Sequence, residues 1–169
     1  MRYSAFTVAL AAIAVASQAQ APGWNMYEAP GKGDFKPIQV FVQGSNNTQL
    51  IIKCDKPGQF ETYAIIATQT ALATSVQRSF EIRPVKIRFD GGSAIDDTWR
   101  FNGSFASAFD DRSQRTMTRF IQKLVTASKV EIQLEPFRQA PVMTSFDVAN
   151  GKDAINQVYA SCKDKTPVP

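Results

Sequence analysis

Ile38-Gln39-Val40-Phe41-Val42-Gln43, then Gly44-Ser45-Asn46-Asn47, then Thr48-Gln49-Leu50-Ile51-Ile52-Lys53-Cys54 follow one another without a break. The outer two runs are rich in β-branched and aromatic side chains, which suit a pleated, half-buried surface. The middle run is a cluster of turn formers. Two such strands joined by about four turn residues predict a hairpin, so the sheet begins as an antiparallel one.

Outward from this hairpin the pattern repeats. Asp55-Lys56-Pro57-Gly58 reads as the next turn and Phe60 to Thr68 as a third strand. Gln69 to Ser79 has no clear period. Phe80 to Phe89 reads as a strand with Val85, Ile87 and Phe89 on one face and Pro84, Lys86 and Arg88 on the other. Asp90-Gly91-Gly92-Ser93 turns the chain, and Thr98-Trp99-Arg100-Phe101 is a short strand. Upstream, Trp24 to Glu28 alternates as a strand would. After Asp110 the period changes. Met117, Phe120, Ile121, Leu124 and Val125 form a helical stripe, which predicts a helix over about 110–128. Asp110 or Asp111 is expected to start it, and Asp111 with Arg115 to form an i,i+4 pair. Lys129 to Glu135 and Val142 to Val148 return to strand. A second helix is expected over about 151–162, capped by Asn150, with Ile155, Val158 and Cys162 inward. The polar stretch after Lys163 reads as a frayed tail. Strands first and helices later predict an α+β fold: an antiparallel meander sheet of about five to seven strands with two helices.

The amino terminus carries a targeting pattern. Arg2 supplies positive charge, Ala5 to Ala16 is a run of about 12 mostly apolar residues, and Ser17-Gln18-Ala19 offers small residues at a cleavage site. The run is too short for a membrane span of about 20 residues. Residues 1–19 are therefore read as a signal peptide cut after Ala19, and 20–169 as a single exported domain, periplasmic or secreted. No Cys follows the cut, so a lipoprotein anchor is not expected. Without Arg2, 18 basic residues face 15 acidic ones, a net charge of +3. That is mild, and it suits anionic envelope surfaces better than nucleic acid.

Cys54 and Cys162 are the two cysteines. In an oxidising compartment an isolated pair is most simply a disulfide. The chain has 0 histidines, so Ser-His-Asp and Cys-His systems cannot be built, and zinc centres lack their usual ligands. Carboxylate-only chemistry such as glycoside hydrolysis stays open, with Asp96 and Asp97 as its acids. No cofactor motif is present.

Two surfaces invite a binding role. Arg112, Arg115, Arg119 and Lys123 fall opposite the apolar stripe of the first helix, with Lys86 and Arg88 on a neighbouring strand. A solvated helix face explains such a set as readily as a partner site does. Trp24, Trp99, Phe101, Phe105 and Phe109 form an aromatic set that core packing or a glycan platform would equally explain. Phe105 and Phe109 are placed on one side of a helical turn. No exposed aromatics interleave with the basic set, which argues against single-stranded nucleic acid.

The order of landmarks resembles a known group. Trp24 opens the mature chain, and Leu50-Ile51-Ile52-Lys53-Cys54 is an aliphatic strand ending in Cys. Trp99 precedes a small-residue turn and Phe105-Ala106-Ser107-Ala108-Phe109, and Phe146-Asp147-Val148 precedes a helix ending in Cys162. This layout, over roughly residues 24–162, resembles the small envelope proteins associated with bacterial type VI secretion, the VasI-like group. It departs from that pattern at Asn102-Gly103-Ser104 and at Asn150-Gly151-Lys152. The resemblance implies an exported, disulfide-stapled, non-enzymatic accessory protein and transfers no site residues.

The expected function is therefore an exported accessory or binding protein that contacts a protein or an anionic envelope component, with no cofactor and no transmembrane segment in the mature chain. Its oligomeric state is left open. The basic set Arg112, Arg115, Arg119 and Lys123 is the expected contact, and charge reversal at Arg115 and Arg119 is expected to spare stability. The rivals are an inhibitor of a wall-degrading enzyme, acting through Asn46-Asn47 or Gly91-Gly92-Ser93, and a carboxylate hydrolase.

Overall fold

A computed structural model describes residues 23–28, 35–58, 61–73, 80–111 and 113–168. The expected signal peptide and Arg112 lie outside the described residues. The strands are β1 (Asn25–Glu28), β2 (Ile38–Gln43), β3 (Gln49–Cys54), β4 (Thr62–Ala67), β5 (Glu81–Phe89), β6 (Ile95–Asn102), β7 (Phe105–Ala108), β8 (Lys129–Leu134) and β9 (Val142–Asp147). The helices are α1 (Thr116–Leu124) and α2 (Lys152–Ser161).

The antiparallel α+β reading holds, but the sheet has 9 strands rather than five to seven, in the order β1-β2-β3-β4-β7-β6-β5-β8-β9. The strand the sequence hides is β7. Its residues, Phe105-Ala106-Ser107-Ala108, are mostly small and carry weak alternation. Its extended state is imposed from both sides, by β4 (Ile65 opposite Ser107) and by β6 (Arg100 opposite Ser107). Phe105 and Phe109 are therefore not on a helical turn. The simple meander also fails: β5, β6 and β7 fold back so that β7, not β5, lies beside β4.

The sheet curls until its far strand meets its near one. Gly44, at the end of β2, bridges to Phe146 of β9. A Cβ on Gly44 would overlap the Phe146 ring, so only glycine permits this approach. The Ser45–Asn47 turn is stitched to the same strand. Asn46 Nδ2 donates to Met143 O at 2.9 Å, and the Ser145 amide donates to Ser45 Oγ at 2.9 Å. The hydroxyls of Thr48 and Thr144 also meet in the buried seam. The turn that looks like a free hairpin tip is the closure of the barrel-like curl.

Side chains such as Val40, Leu50, Ile52, Trp99, Phe101 and Ile132 fill the inner face, all essentially inaccessible. Helix α1 covers part of it with the expected stripe of Met117, Phe120, Ile121 and Leu124. Phe120 meets the Trp99 ring edge-on at 5.3 Å. The helix is shorter than expected at both ends. At the start, Asp111 Oδ1 accepts the amides of Ser113 and Gln114, each at 2.8 Å, which makes a local turn instead of a helix. At the end, Asp90 Oδ1 accepts the amides of Ser128 and Lys129 at 2.9 and 2.8 Å and draws the chain into β8. The Asp111–Arg115 pair does not form. Asp111 instead lies 3.8 Å from Arg100, and Arg115 lies 3.9 Å from Asp110.

Helix α2 packs on β2 and β3. Asn150 is not its cap: it has φ +60°, and Gly151 occupies the cap position. Gly151 lies against the Trp24 indole, leaving no space for a Cβ. The Trp24 Nε1–H donates to Val148 O at 3.1 Å. The disulfide joins Cys54 at the end of β3 to Cys162 at the end of α2, with both residues buried. Residues 163–168, read from sequence as frayed, lie against the domain. The Asp164 amide donates to Tyr159 O at 3.0 Å, Gln122 Nε2 donates to Pro167 O at 3.4 Å, and Val168 packs on the core.

Candidate functional site

The docked tail bounds a cleft of about 360 Å³. Thr62 of β4, Asp110, the Thr118 and Gln122 face of α1, Tyr159 of α2 and residues 164–167 bound it. Two carboxylates are held there by matching devices. Asp110 accepts the Thr118 amide at 3.0 Å and the Thr118 hydroxyl. Asp164 accepts the Thr62 amide at 3.2 Å and the Thr62 hydroxyl at 2.7 Å. In the same lining Tyr159 is 6% exposed, and its hydroxyl has no hydrogen-bond partner among the described residues. Burial, and then the negative charges of Asp110 and Asp164, push its pKa well above the ordinary tyrosine value, so the phenol keeps its proton. The cleft lining thus combines a donor, two fixed acceptors and the bases Arg115 and Lys165.

Sequence reasoning missed this site. Asp110 was legible only as a helix start, and Thr62, Thr118, Tyr159 and Asp164 carry no spacing that links them. Thr62 and Asp164 are separated by 102 positions.

The expected basic set is partly assembled. Arg115, Arg119 and Lys123 are all exposed and follow one another by four along α1. Arg115 faces Asp110. Arg119 lies 3.5 Å from Asp97, whose side chain is only 11% exposed. Lys123 has no ion-pair partner among the described residues and borders a shallow depression with Asp90 and Gly92. The expectation that reversing Arg119 spares stability is therefore revised: an acid there would face a largely buried Asp97. Asp97 also accepts its neighbour Thr98's amide at 2.8 Å, which gives it a structural role. Asp96 is exposed, opposite Lys86 in the β5–β6 register. Both loops considered for an inhibitor, Asn46-Asn47 and Gly91-Gly92-Ser93, are exposed, but Asn46 of the first is tied to β9 through Met143 O.

The aromatic set splits. Trp99 and Phe101 are core, and Trp24 is half-buried beside α2. Phe109 joins a ladder on the opposite face of the sheet, where Lys53, Tyr63 and Arg100 alternate with the inward Ile52, Ala64 and Phe101. The Arg100 guanidinium lies 4.7 Å from the Phe80 ring and 5.1 Å from the Phe109 ring. Phe109 stacks on Tyr63 at 4.4 Å, and Lys53 lies 5.4 Å from the Tyr63 ring. Such contacts are worth about 0.5–1 kcal/mol each at exposed sites. The ladder ends at Asp55, which accepts the Tyr63 hydroxyl at 2.6 Å and pairs with Lys53 at 2.9 Å.

That end of the ladder responds to pH. Burial alone would raise the Asp55 pKa, but the hydrogen bonds from Tyr63 and Lys53 and the charges of Lys53 and Lys56 outweigh it, and the net shift is below 3.8. A carboxyl with a lowered folded-state pKa stabilises the fold fully above its unfolded value and loses that contribution as pH falls through the folded one. Asp55→Asn is expected to flatten the acid side of the stability curve. Urea midpoints for both proteins, compared at neutral pH and on either side of 3.8, check this; parallel curves would refute it.

No protein family, curated protein or solved structure was found to match this chain. The fold and these sites therefore rest on the molecule's own geometry.

Proposed function

We propose that this chain is an exported, non-enzymatic accessory or binding protein of the bacterial envelope, working in the setting of type VI secretion. The observation that carries the export reading is the buried Cys54–Cys162 disulfide between β3 and α2. Such bonds persist where thiols oxidise. No helix among the described residues is long and apolar enough to cross a membrane. A binding role is supported by the way each cleft carboxylate accepts both the amide and the hydroxyl of one threonine, which orients it before a ligand arrives. The type VI setting rests on the sequence resemblance.

The partner surface in this reading is the α1 ridge, where Lys123 has no ion-pair partner among the described residues. Its target is an anionic envelope component. Expression of the full chain in a Gram-negative host, followed by fractionation, tests the first half. A chain beginning at Gln20 with no free thiol in the periplasm or medium is expected, and an unprocessed, reduced chain in the cytosol would overturn export. Cosedimentation with phosphatidylglycerol vesicles, against phosphatidylcholine vesicles, tests the second half. Lys123→Glu is expected to weaken capture severalfold without changing the melting temperature. Equal capture by both vesicle types and both proteins would remove the ridge from consideration.

A further inference from the structure

We propose that the cleft between β4, α1 and the carboxyl-terminal tail binds a neutral polyhydroxylated ligand, of the size of a monosaccharide unit, through Tyr159. Three observations carry this beyond the envelope reading above. First, a cleft of about 360 Å³ falls in the size range of small-molecule sites. Second, Tyr159 is 6% exposed, and its hydroxyl, which keeps some access to solvent, makes no hydrogen bond among the described residues, so it is free to donate to a ligand. It borders the cleft, so a ligand atom placed there can accept its proton.

The third observation is the arrangement of charge. Arg115 lies 3.9 Å from Asp110, and Lys165 follows Asp164 in the chain. The lining therefore carries two acids and two bases. An anion or a cation would meet like charge as well as opposite charge there. A hydroxyl group both donates and accepts, so it can give its proton to a carboxylate while accepting from Arg115, Lys165 or Tyr159. Several hydroxyls on one small ring suit such a mixed lining. Asp110 and Asp164 are held as acceptors by Thr118 and Thr62, so they are oriented before a ligand arrives.

The test is a titration of the purified, nitrogen-15-labelled protein with glucose, galactose and N-acetylglucosamine in turn. At least one sugar should shift the Thr62 and Thr118 amide resonances saturably. Tyr159→Phe keeps the ring and removes the donor, and should weaken that binding about tenfold, the scale of one buried hydrogen bond. Should that variant fail to fold, Arg115→Gln, at an exposed side chain, should weaken binding severalfold. Glycine and acetate serve as the zwitterionic and anionic probes. Shifts with either of these and none with a sugar, no shift with any probe, or undiminished sugar binding in the folded variants would each overturn the proposal. The vesicle assay reads Lys123 and this titration reads Tyr159, so each reading can fail without the other.

Discussion

Replacing Cys54 and Cys162 together by alanine is expected to lower the stability of the folded domain by about 3–5 kcal/mol. The two residues are 108 positions apart, so the bond removes the freedom of most of the chain from the unfolded state. A closed loop of about 100 residues is valued near 4.7 kcal/mol by that entropy argument, and native-state strain subtracts from it. The folded state also loses something local. The bond pins α2 to β3, and the Gly58 amide donates to Cys162 O at 2.6 Å beside it. The loop after β3, the end of α2 and the docked tail should therefore loosen together. Urea unfolding of the alanine pair gives the magnitude, and amide exchange at Gly58, Cys162 and Asp164 in the reduced wild type gives the location. A loss under about 1 kcal/mol would mean that the sheet and helices hold α2 without the bond.

Phe146→Ala should cost a similar amount, about 3–5 kcal/mol, for a different reason. Phe146 is 1% exposed and lies where β9 meets the end of β2, against Gly44. Truncation removes a large apolar surface and leaves a void in the seam that the glycine backbone cannot fill. The stitches around it depend on the same approach, so the Ser145 amide that donates to Ser45 Oγ should lose protection first. Urea unfolding and site-resolved hydrogen exchange measure the two effects. A small loss of stability with Ser145 still protected would show that the curl is held by the rest of the sheet.

Taken together, the two variants separate the devices that close this fold. The disulfide acts mainly on the unfolded chain, whereas Phe146 acts on packing within the folded one. Their effects should be close to additive if the sites do not share partners.

Local pattern was enough to read much of this molecule. The hairpin of β2 and β3, the alternation of β5 and the stripe of α1 are legible because side-chain direction repeats every two residues in a strand and every 3.6 in a helix. The cysteine pairing was legible because only two were available. The helix limits were not, because Asp111 and Asp90 bond to nearby amides and stop the helix short of its apolar pattern. Strand β7 was hidden because four small residues have little preference of their own, and two neighbours hold them extended.

Local pattern and the cysteine count suffice to say that this is an antiparallel α+β chain whose two cysteines pair. The order of its strands, the seam at Gly44 and Phe146, and the cleft come only with the folded arrangement. The reason is the range of the forces involved. Period and turn chemistry act between near neighbours, whereas Thr62 finds Asp164 and Ser145 finds Ser45 only after the sheet has curled and the tail has docked.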